Sequence, residues 1–218
     1  MFRVPRLLDA VECRVLGALL EKEQATPEYY PLTVAALHAA CNQKTNREPV
    51  LELAEAEIEA ALARLFADVL VWRSPGARAT RWSHNLDRRW ELSPAAKAVV
   101  TLLLLRGPQT VGELRGRSDR LHAFATLAEV EATLDALAAG NEPLVELLPR
   151  SPGQKEARWR HLLGEAPDHT VAEGESAAAP SPTPRAAASG LEARLAALEA
   201  RVAALEAALK PPTDGGEA

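Results

Sequence analysis

Arg73-Ser-Pro-Gly-Ala-Arg-Ala-Thr-Arg-Trp82 returns 77 positions later as Arg150-Ser-Pro-Gly-Gln-Lys-Glu-Ala-Arg-Trp159. The same offset carries Thr33, Val34 and Leu37 onto Thr110, Val111 and Leu114, and His84 onto His161. A period this long repeats a whole globular module rather than one turn of a solenoid. The chain is a tandem duplication.

The quoted stretch is a hairpin. Residues 69–73 and 80–84 are rich in strand formers on either side of the turn sequence Ser74-Pro75-Gly76. Alternation puts Thr80, Trp82 and His84 on one face and Arg81 and Ser83 on the other, so Trp82 is expected to anchor the hairpin and Arg81 to point outward. Upstream, Asp9-Ala-Val-Glu12 is a capping box that opens a helix carrying Val11, Val15, Leu16, Leu19 and Leu20 at helical spacing. Residues 24–31 read as a loop. A second helix starts at Thr33 and carries Val34, Leu37 and Cys41, and a third, about 54–67, turns Ile58, Leu62 and Leu65 inward.

The second copy keeps this order. Ser93-Pro94 starts its first helix, and Val99, Val100, Leu103 and Leu104 match Val15, Leu16, Leu19 and Leu20 at an offset of 84. Thr110-Val-Gly-Glu113 and Thr126-Leu-Ala-Glu129 are two further capping boxes, and residues 57–65 match 129–137 at an offset of 72. A second hairpin joins residues 144–149 to 157–163. Three helices closed by a hairpin, twice, predict a mostly helical α+β fold of two tandem winged-helix domains, residues 7–91 and 92–164.

Residues 165–189 are rich in Ala, Pro, Ser, Thr and Gly, the composition of a disordered linker. Residues 190–210 read as a helix in which Leu191, Leu195, Leu198, Val202, Leu205 and Leu209 form a heptad seam, and residues 211–218 as a disordered tail. With Leu191 at d, parallel pairing joins Arg194 to Glu199 and Arg201 to Glu206, whereas antiparallel pairing sets like charges together. The pattern predicts a homodimer through a parallel coiled coil.

The 218 residues hold 25 Lys and Arg against 30 Asp and Glu, but residues 166–218 contribute 4 and 8 of these, leaving 21 against 22 before them. Near-neutrality excludes a general polyanion sponge, so any nucleic-acid contact must come from local patches. Two cysteines, Cys13 and Cys41, have no pairing pattern and suit a reducing compartment. The apolar stretch 98–105 is far below the ~20 residues of a membrane span. These features predict a cytoplasmic protein without membrane contact.

Leu8-Asp-Ala-Val-Glu-Cys-Arg-Val-Leu-Gly-Ala-Leu-Leu-Glu-Lys-Glu23, Tyr29-Tyr-Pro-Leu-Thr33 and Cys41-Asn-Gln-Lys-Thr-Asn-Arg-Glu-Pro-Val50, with Arg73-Ser-Pro-Gly76 and Arg81-Trp82, resemble the YceH-like family of bacterial proteins. The resemblance covers about residues 7–163. It implies tandem winged helices and a bacterial origin, and brings no activity.

No catalytic arrangement emerges, and no cofactor is implied. His38 and Cys41 stand three apart on a helix, which with no second ligand pair nearby reads as core packing. A winged helix usually reads DNA with its third helix while the wing touches backbone. Here that helix carries Glu55, Glu57 and Glu59 against Arg64, and its counterpart Glu129, Glu131 and Asp135, charges that oppose phosphate. The wings carry Arg73, Arg78 and Arg81, then Arg150, Lys155, Arg158 and Arg160. Asn42, Gln43, Lys44, Asn46 and Arg47 form the densest run of donors in the chain, suited to phosphate, base or partner contact, or to tying down their own loop. The leading expectation is a non-enzymatic regulator that binds duplex DNA through basic wings; the alternative is an adaptor that holds another protein.

Overall fold

A computed structural model describes residues 5–76, 79–150 and 153–164. The chain divides into two units, Met1–His169 and Thr170–Ala218. Arg78, the whole of the proposed linker and tail, and the heptad positions Leu191, Leu195, Leu198, Val202, Leu205 and Leu209 lie outside the described residues.

The first repeat runs α1 (Ala10–Ala25), a 3-10 turn (Pro27–Tyr29), β1 (Leu32–Thr33), α2 (Val34–Cys41), α3 (Glu55–Ala67), β2 (Val71–Ser74), β3 (Arg81–His84) and α4 (Leu86–Trp90). The second runs α5 (Pro94–Arg106), α6 (Val111–Ser118), α7 (Leu127–Ala138), β4 (Val145–Leu147) and β5 (Trp159–His161). The fold is therefore mixed, helices with small antiparallel sheets, and the expected order of three helices and a hairpin occurs twice.

Local chemistry accounts for most of the boundaries. The Asp9 carboxylate accepts from the Glu12 N–H at 2.8 Å, and Glu12 accepts from the Asp9 N–H at 2.9 Å. Thr110 and Glu113 close the same reciprocal cap on α6. At α7 the expected box is made only in part. Thr126 accepts from the Glu129 N–H, but Glu129 reaches one residue further back, to the Ala125 N–H at 2.9 Å. At the end of α3, Leu70 N–H bonds Leu65 O and Val69 N–H bonds Phe66 O, the paired bonds of a Schellman motif, with Val69 in the left-handed region at φ 58°.

The sheets preserve the repeat down to register. The first has the order β1-β3-β2, all antiparallel, with Leu32 opposite Trp82 and Val71 opposite His84. In the second, β4 pairs β5 with Val145 opposite His161, and an isolated bridge from Gln109 to Trp159 stands where β1 stands in the first. β1 and α4 are absent from the sequence reading. The first has two residues, and the second is a five-residue turn of helix that buries Leu86 and Trp90 without a side-chain cap.

One apolar core runs through both repeats. At its centre α1 packs on α5. Every α1 residue from Glu12 to Leu20 is buried, as is every α5 residue from Ala98 to Leu105, so neither helix keeps a solvent face along these turns. Gly17 sits at the contact: a Cβ there would stand 2.8 Å from Leu105 Cδ2 and 3.1 Å from Leu104 Cβ. At the edge of the unit, Leu8 donates its N–H to Leu163 O at 2.9 Å and forms a parallel bridge with Gly164.

Candidate functional site

Burial of α1 brings its charged residues into the interior, where each must find a partner. Glu12, fully buried, takes Arg6 at 2.6 Å and Arg64 at 2.7 Å. Burial by itself would raise its pKa, but the bonds from Arg6, the Asp9 N–H and Arg64 outweigh that and hold it at about 2. Arg14 donates to Cys41 O and Pro49 O, pinning both ends of the intervening loop. Glu21 takes the buried Arg47 through two bonds, at 3.0 and 2.5 Å. Glu23 accepts from His84 Nε2 and from Lys97 Nζ, both at 2.7 Å. Burial again pushes upward, and the two donors hold the Glu23 carboxyl at about 2.

The donor-rich loop is corrected by this network. Arg47, expected to reach phosphate, has a side chain with no exposed surface; besides Glu21 it bonds Ala40 O and Gln43 Oε1. Asn42 clamps Leu53 from both sides, donating to its carbonyl and accepting from its N–H. Asn46, at φ 59°, accepts from Arg106 at 3.0 Å, and Glu48 N–H bonds Leu105 O, so this loop is fastened to the end of α5. Lys44 alone of the five predicted contact residues stays exposed without a side-chain partner.

The hairpin cations separate in the same way. Arg81 bonds Pro31 O at 2.8 Å, and Arg158, 77 positions on, bonds Pro108 O at 2.9 Å, also 77 positions on. Arg158 further takes Glu113 at 2.8 Å, and Arg160 takes Glu146 across the hairpin. Of these three arginines, expected to project outward, Arg81 and Arg158 hold the hairpins against their own modules, and Arg160 ties the two strands of the second hairpin together. Arg73 lies over the Phe66 ring at 4.8 Å, and Trp82 meets that ring edge-on, as an anchoring residue should. Arg150 bonds Lys155 O; both residues are exposed.

The third helix of each repeat shows a different surface. The one cation of α3, Arg64, turns back onto Asp9 and Glu12. What remains outward is Glu55 and Glu59 beside the exposed alanines 56, 60, 63 and 67. The matching positions of α7 and its C-cap are Leu127, Ala128, Glu131, Ala132, Asp135 and Ala139, all exposed, so an apolar side chain stands where α3 has Glu55. The offset of 72 contained this correspondence, but residue types alone do not say which side of a helix meets solvent.

Glu23, His84 and Asp87 place one potential ligand atom each within 4.8 Å of one another. The donor set does not fit a metal. His84 Nδ1 accepts from the Leu86 N–H at 3.2 Å, so the ring carries its proton on Nε2 and donates it to Glu23. Lys97 bridges Glu23 and Asp87 at 2.7 and 2.6 Å and supplies the positive charge itself. His38 Nε2 faces Leu53 O at 2.9 Å and Cys41 is buried, so that pair belongs to the packing. Burial pushes the Cys13 and Cys41 thiols up to about 12, far from thiolate chemistry. No helix among the described residues is long and apolar enough to cross a membrane.

Residues 8–154 match the family model described as a protein of unknown function, DUF480. A UPF0502 protein of Geobacter sulfurreducens is 52% identical over 168 residues, 77% of each chain. Another, from Azoarcus sp. strain BH72, is 50% identical over 188 residues, 85% of this chain and 83% of the relative. A third, from Chromobacterium violaceum, is 51% identical over 162 residues, 73% and 74% of the two chains. With α1, the loop after α2 and the first hairpin all inside the matched span, the chain belongs to the DUF480 (UPF0502) family of bacterial proteins.

Proposed function

We propose that this chain is a non-enzymatic adaptor, two tandem winged-helix modules that hold another protein rather than read duplex DNA. The observation that carries the reading is the repeated third helix: where a duplex-reading winged helix needs cations, both α3 and α7 turn carboxylates and small side chains outward. Alanines let a second helix approach closely, and the flanking acids suit a partner with basic residues there. The ion pairs of Arg158 with Glu113 and of Arg160 with Glu146 support the same reading, because those two charges are neutralised within the fold. Of the predicted contact cations that are described, Lys44, Arg73, Arg81, Arg150 and Lys155 stay exposed without a carboxylate partner, spread over one loop and two hairpins rather than gathered on the third helices. Parallel pairing of the C-terminal heptads would present two copies of each module and raise the partner's apparent affinity through effective concentration.

Two measurements test the reading together. Fluorescence anisotropy with mixed-sequence duplex DNA at low salt is expected to show no binding. Affinity capture from the native cell is expected to retain a protein partner after nuclease treatment and to lose it when Glu59 and Glu131 are changed to Lys. Salt-sensitive duplex binding that weakens on changing Arg73 and Lys155 to Ala would overturn the adaptor and restore the DNA-binding regulator.

A further inference from the structure

We draw no further inference here: the strongest candidate, the cleft between the first hairpin and α4 lined by Trp72, Arg88 and the Glu23–His84–Asp87 cluster, carries nothing, because Lys97 and the Leu86 N–H already engage the cluster and nothing in the structure shows what would fill the remaining space.

Discussion

The first helices of the two repeats occupy the same place and are built from opposite materials. At the offset of 84, Glu12, Arg14, Glu21 and Glu23 of α1 correspond to Ala96, Ala98, Leu105 and Gly107. Every charged residue that α1 uses to gather its surrounding loops is replaced by an apolar or small one. Cys13 gives way to Lys97, which reaches back to Glu23, and Gly17 to Thr101, whose Oγ1 accepts from Gln24 at 2.9 Å. The first helix of the first repeat is thus tied to its loops by ions, whereas that of the second holds its place chiefly by apolar packing. The matched histidines follow suit. His84 is bonded at both ring nitrogens, whereas His161 leaves Nδ1 buried without a partner. In the second repeat ion pairs lie instead on α6 and the hairpin, as between Arg158 and Glu113 and between Arg160 and Glu146, and among the described residues its first helix ties none of its own loops by ions as α1 does.

The largest test converts the first copy into the second at one point. Glu21→Leu strands the buried Arg47 and is expected to cost about 3–5 kcal/mol, the usual penalty for breaking a buried pair from one side. Adding Arg47→Leu should recover much of it. Chemical denaturation reads both, and a Glu21→Leu protein as stable as the parent would refute the ionic account of the first repeat. Next, Gly17→Val probes the contact shared by the two copies. Its side chain meets Leu104 and Leu105, so overpacking of about 1–3 kcal/mol is expected, with thermal denaturation as the measure.

A third test separates the repeats by pH. Glu23 has its folded pKa depressed, from 4.5 to about 2, so its contribution is complete above the unfolded value and fades as pH falls from 4.5 toward 2. His161 is depressed from 6.5 to about 4, chiefly by burial and secondarily by Arg160, so it stays neutral in the fold. Its contribution is complete above pH 6.5 and fades between 6.5 and 4. Stability measured against pH should therefore lose its 6.5-to-4 decline in His161→Gln and its lower decline in Glu23→Gln. If both variants changed the same window, the contrast between the histidines would not hold.

The smallest effect concerns the turn after the third helix. The first repeat places Val69 at φ 58°, while the second passes its corresponding bend through Gly140 at φ 90°. A β-branched residue is strained there, and Val69 is 42% exposed, so Val69→Gly is expected to stabilise by about 1 kcal/mol. An unchanged or lower melting temperature would mean that the Val69 side chain has packing worth the strain.

Much of this organisation is legible in residue order, and the exceptions have a common cause. Helix starts announce themselves because a cap is made by residues three apart, as at Asp9 and Thr110. The hairpins are marked by alternation and turn chemistry. The role of α1 is hidden because Glu12, Arg14 and Glu21 satisfy themselves with groups 26 to 52 positions away, beyond the reach of any periodicity. Arg47, Arg81 and Arg158 look like contact residues for the same reason: an arginine's type does not disclose whether a carbonyl or carboxylate awaits it inside. The candidate surface is half visible in the sequence, as acids on the third helix, while the alanines beside them are set apart only by which face of the helix is buried.

The bridge between Leu8 and Gly164 sets the last described residue beside the start of α1, so the two repeats are joined at their outer ends as well as through α1 and α5. Tension applied at Gly164 would load two fastenings at once, the Leu8 seam at the start of α1 and the bond from the Leu162 N–H to Leu144 O that joins the end of β5 to β4.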